Sequence, residues 1–133
     1  MVDEEDIELV RTRYDAFVAG DMEWLNEHLH ENVVWHAAGR SSLAGEYRGR
    51  EEVLASFAKS VQVAMPAFEV HDVAAGDDHV VTLLDVTWRR TDGGAFEGRA
   101  VQVFHLGGGK VLESWFIPED QADLDAFLES ASA

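Results

Sequence analysis

The sequence predicts an α+β fold, in which a curved antiparallel sheet packs on three helices from the N-terminal half and a short helix closes the chain. Three observations lead there. Apolar residues recur at helical spacing in the first half and again at the C-terminus. One β-branched and aromatic run interrupts those helices. From residue 67 onward, strand-like runs alternate with glycine-rich turns. Helices followed by a series of antiparallel strands is the α+β pattern, with the helices gathered on one face of the sheet. At 133 residues the chain has room for one domain, taken as residues 1–133.

The elements follow in order. Ile7, Val10, Tyr14, Phe17 and Val18 form one helical stripe, acidic residues crowd its first turn, and Gly20 ends it. Asp21 can cap a short second helix carrying Met22, Leu25 and Leu29. Asn32 leads into Val33-Val34-Trp35-His36-Ala37, a strand. Residues 39–49, with three glycines, read as a loop. A third helix presents Val53, Leu54, Phe57, Ala58 and Val61, and Pro66 stops it. Residues 67–74, 80–90, 96–106 and 111–117 read as strands. Asp92-Gly93-Gly94 and Gly107-Gly108-Gly109 supply the turns. A helix begun at Pro118-Glu119-Asp120 carries Leu124, Phe127 and Leu128.

Composition excludes several functions. Ten basic against 26 acidic residues give a net charge of −16, which repels nucleic acid and anionic membranes. Only Lys59 and Lys110 are lysines; an acid-rich, lysine-poor surface fits either ordinary solubility or a high-salt cytoplasm. No apolar run is long enough to span a membrane. The acidic start is unlike a secretory signal, so a cytoplasmic protein is expected. Without cysteine there is no disulfide, thiolate nucleophile or Cys-based metal site. The six histidines lack ligand spacing: His28 and His30 face different directions, and His71, His79 and His105 lie on separate strands. No glycine-rich phosphate loop opens a helix. Neither metal nor cofactor is expected.

Four stretches carry a resemblance. Tyr14 to Asp21 (YDAFVAGD) is followed by Val33 to Arg40 (VVWHAAGR), then Leu43 to Val53 (LAGEYRGREEV), and finally Gly109 to Trp115 (GKVLESW). Together these resemble the SnoaL-like and ketosteroid-isomerase-like branch of the nuclear-transport-factor-2-like superfamily, over nearly the whole chain. The resemblance implies a cystatin-like α+β barrel, a strongly bent sheet forming a cone with a pocket at its open end. It also implies a homodimer packed through the outer sheet face. It is specific for fold and weak for chemistry, because this superfold hosts isomerases, cyclases, hydrolases and non-enzymes.

His36 resembles the position of the carboxylate base of ketosteroid isomerases, pointing into the pocket. A neutral imidazole there can move a proton near neutral pH; the same histidine also reads as an inert part of the pocket wall. Tyr14 resembles the helix-1 tyrosine that supports the oxyanion, or is a core aromatic on its apolar stripe. Gln102 falls where SnoaL-type cyclases carry a histidine and ketosteroid isomerases a protonated carboxylate, and glutamine transfers no proton. Phe116 falls where the cyclases carry an acid/base aspartate. The Asp-Arg-Asp relay of epoxide hydrolases is not evident. Asp85, by strict alternation, points away from the apolar face of Val80, Thr82, Leu84, Val86 and Trp88; a reversed register would make it a buried base. Asp120 reads as a helix cap.

The expected inner face comprises Val34, His36, Gln102, Phe104, Leu112, Ser114 and Phe116, with Tyr14 and Trp88 as wall. That composition suits a hydrophobic small molecule. Two functions stay open. One is proton transfer beside a carbonyl, with His36 as base and Tyr14 or Gln102 donating to the oxyanion. The other is a non-catalytic ligand-binding or interaction domain using the same pocket.

Overall fold

The computed structural model describes the backbone of residues 2–132 and the side chains of residues 2–129. The chain runs α1 (Glu4–Ala19), α2 (Met22–His28), β1 (Leu29–Ala37), β2 (Gly45–Arg48), α3 (Arg50–Val63), β3 (Met65–Ala75), β4 (His79–Arg89), β5 (Ala95–Gly107), β6 (Lys110–Pro118) and α4 (Gln121–Ser132). The six strands form one curved sheet in the order β2-β1-β6-β5-β4-β3.

The helix boundaries follow local chemistry. Asp3 and Asp6 close a reciprocal capping box at the start of α1, and Gly20 ends it in the left-handed region at φ 72°. Asp21 then accepts the Trp24 N–H at 3.1 Å and starts α2. In the β4–β5 turn, Gly93 takes φ 94° and the Arg90 N–H donates to the Gly94 carbonyl at 2.8 Å. At α4 the Asp120 carboxylate accepts the Asp123 N–H at 3.1 Å.

Two features correct the expected sheet. It is mixed, because β1 runs parallel to β6 while the other pairs are antiparallel. Parallel neighbours need a long crossover, and here residues 38–109, more than half the chain, lie between them. Alternation identifies strands but not such distant partners. The expected loop over residues 39–49 also contains β2, an edge strand pairing from Val34↔Arg48 to Ala37↔Gly45. Its glycines and charges mask the strand signal.

Register shifts at His71 in β3 and Leu112 in β6 mark bulges that bend the sheet. It curves around α1 and α3. Val10, Tyr14 and Phe17 of α1 and Val53 and Phe57 of α3 are buried against Trp35, Leu84, Val86 and Phe104 of the strands. Edge-on ring contacts run through this core: Phe17 with Phe57 at 5.2 Å, and Trp35 with Phe57 at 4.9 Å. On the opposite face Leu83, Val101 and Ile117 lie side by side across β4, β5 and β6, with Leu83 and Ile117 exposed. Asp85 also lies on that face, paired with His71 and with Arg99, the latter at 3.6 Å. Among the described residues no helix is long and apolar enough to cross a membrane.

Candidate ligand-binding cavity

The sheet, α1, α3 and α4 enclose a cavity of about 150 Å³. Its walls come from Phe17 of α1, Trp35 and Ala37 of β1, Phe57 of α3, Trp88 of β4 and Phe116 of β6. The loop between β1 and β2 (Ala38, Ser41, Leu43, Ala44) and α4 (Gln121, Leu124, Leu128) add to the lining, as do Tyr47, Pro66 and Phe68. Gln102 of β5 and Arg13 of α1 are its buried polar members on the sheet and first helix.

Behind the wall is a closed hydrogen-bond chain. The Tyr14 hydroxyl donates to Gln102 Oε1 at 2.8 Å and lies 2.7 Å from Thr82 Oγ1. With the phenol proton on Gln102, the Thr82 hydroxyl is the donor to Tyr14. Gln102 Nε2 in turn donates to Ser114 Oγ at 3.2 Å. All four residues are buried. Burial pushes the Tyr14 phenol up to about 12, against the opposing effects of Arg13 and the Thr82 hydrogen bond. The phenol is therefore a fixed donor at neutral pH and not a proton-transfer group.

Arg13 is buried among aromatic rings. Its guanidinium carbon lies 4.8 Å from the Trp35 centroid, 5.1 Å from Tyr14 and 5.3 Å from Phe17, with Phe57 and Phe104 at 5.5 and 5.7 Å. Its side chain makes no hydrogen bond or ion pair with a described residue, and Nε is sealed without an acceptor. Burial pushes its pKa down to about 10, with the Tyr14 charge acting oppositely, so it stays cationic at neutral pH.

The expected site residues divide. Trp88, Gln102 and Phe116 line the cavity. Tyr14, Phe104 and Ser114 form the buried layer behind it. Leu112 sits in the β6 bulge with its side chain toward Gly107. Val34 and His36 require correction, because both lie on the opposite sheet face. His36 Nε2 is 2.6 Å from Glu113 Oε2, its Nδ1 is 3.5 Å from Glu46, and its ring stacks on Trp115. The register error has a simple cause. The run from Val33 to Ala37 is apolar at both parities, so alternation cannot choose a face. Trp35 fills the core beside Phe57 and Phe104, which turns His36 outward. Among the described lining residues there is no carboxylate or histidine, so the lining presents no base that titrates near neutral pH.

Arg13 escaped sequence reading although a signal existed. It stands three residues after Val10 and four before Phe17, inside the apolar stripe of α1.

The cavity mouth depends on one glycine. Asp125 of α4 accepts the Arg40 N–H and a Gln121 side-chain N–H, both at 2.9 Å, which ties the β1–β2 loop to α4. Gly39 has φ 105°, and a Cβ there would overlap the Asp125 carboxylate. Gly39→Ala is expected to cost about 1–3 kcal/mol and to raise amide exchange across residues 38–44. Unchanged exchange and stability would show that the tether does not hold the mouth.

A family model for the SnoaL-like domain matches residues 10–114. The chain belongs to the SnoaL-like family. This SnoaL-like protein is 28% identical over 116 residues to Rv0034, an uncharacterized protein of Mycobacterium tuberculosis, covering 85% of this chain and 76% of that one. It is similar to the solved structure of Bal32a from a soil-derived mobile gene cassette, with 31% identity, a TM-score of 0.84, and 94% and 97% of the two chains covered. TerC co-crystallized with polyporic acid shares the fold at 18% identity, with a TM-score of 0.84 and coverage of 95% and 99%.

Proposed function

We propose that this SnoaL-like protein binds a hydrophobic small molecule in the cavity, as a ligand-binding domain and not as a proton-transfer enzyme with His36 as base. The observation that carries this reading is the lining itself: aromatic and aliphatic side chains around the buried Gln102 and Arg13, with no carboxylate or histidine among them. An engineered apolar cavity of about this volume takes up benzene. TerC, of the same fold, was co-crystallized with polyporic acid, which is consistent with small-molecule binding on this fold.

The test is an NMR titration with toluene. The methyl groups of Ala37, Ala44, Leu124 and Leu128 are expected to shift in a saturable way, and His36→Ala should leave the titration unchanged. Shifts confined to the sheet face bearing His36 and Trp115, or none at all, would refute the reading.

We further infer a homodimer packed through the outer sheet face. The row Leu83, Val101 and Ile117 supports it, since two of the three are exposed apolar side chains in mid-sheet. Sedimentation is expected to give a dimer, and Leu83→Glu with Ile117→Glu a folded monomer. A wild-type monomer at tens of micromolar would contradict it.

A further inference from the structure

We propose that the cavity prefers ligands whose apolar ring carries a carboxylate, with Arg13 as the counter-ion; this rests on the cavity being a ligand site. Arg13 follows the stripe of α1 inward and lines the cavity, only 5% exposed. Its chain carries 26 carboxylates, yet none pairs with this guanidinium among the described residues. A buried cation without a hydrogen-bonding anion is costly. Ring faces offset part of that cost, but they accept no hydrogen bond in the guanidinium plane. A carboxylate entering the cavity supplies the missing acceptors, and the planar fork suits its two oxygens. The aromatic walls suit the ring that carries it.

The surroundings narrow the class further. One positive charge sits inside a molecule of net charge −16, so a monoanion is favoured over a phosphate dianion. Gln102 spends its carbonyl on Tyr14 and one N–H on Ser114, which leaves its other N–H to direct the head group.

Benzoate and benzamide share size and shape and differ in charge, so they form the test pair. At pH 7 the wild-type protein is expected to bind benzoate about tenfold more tightly than benzamide, read by NMR titration. Arg13→Met should abolish the preference, with benzoate losing more affinity than benzamide, and Arg13→Lys should restore part of it. Equal wild-type affinities, or a preference surviving in Arg13→Met, would overturn the proposal. Toluene bound with benzoate excluded would overturn it alone. Failure of toluene, benzoate and benzamide together would remove the pocket reading and this proposal with it.

Discussion

Arg13→Met is expected to stabilise the unliganded protein, by about 1–2 kcal/mol at pH 7. Burial pushes the Arg13 pKa down to about 10, below its ordinary value, so desolvation works against the charged form by an amount on the order of a few kcal/mol. The ring faces of Trp35, Tyr14 and Phe17 return part of this. Methionine keeps the length and packing of the side chain without the charge. Because the folded pKa is depressed while the group stays cationic, the penalty is fully present at pH 7. Denaturant unfolding at pH 7 checks the sign, and a destabilised methionine variant would mean that the cation is a net structural asset.

The second large effect lies in the chain behind the wall. Gln102→Leu removes the acceptor of the Tyr14 phenol and the donor to Ser114. With both left buried, the expected loss is about 2–5 kcal/mol. Tyr14→Phe should cost about 1–3 kcal/mol, and the double variant less than the sum, since both break the same bond. Tyr14 also sets a pH slope. Its folded pKa of about 12 lies above the ordinary 10, so its contribution is intact below pH 10 and is lost as pH climbs to 12. The informative quantity is wild type minus Tyr14→Phe, which isolates the Tyr14 contribution. A flat difference from pH 9 to 12 and additive losses would contradict the linked network.

Element identity was legible where patterns were unambiguous. The α1 stripe at Val10, Tyr14 and Phe17 (but not the exposed Val18), the Gly20 stop, the Asp21 cap and both glycine turns each rest on a local signal that the structure reproduces. Side-chain direction was legible only on strands with one polar face. β4, where Thr82 and Leu84 alternate with Leu83 and Asp85, kept the expected register, and β1, apolar at both parities, did not. The parallel β1–β6 pair joins segments nearly eighty residues apart in numbering, beyond the reach of any local rule. Trp88 was identified as lining from the alternation of β4, and Gln102 and Phe116 from their positions in the resemblance. Arg13 was overlooked because its charge places it on the solvent side by composition, while its spacing places it in the core. That conflict between residue type and position is where the functional signal lay.

An apolar ring with an anionic head group is expected to occupy the cavity beside Arg13. Crystals soaked in 4-bromobenzoate test it directly, since anomalous scattering locates the bromine without prior phases from the ligand. The expected result is bromine among the rings of Trp35, Trp88 and Phe116, with the carboxylate about 3 Å from the Arg13 guanidinium. Bromine on the outer sheet face beside His36 and Trp115, or an occupied cavity with the carboxylate turned away from Arg13, would contradict the account.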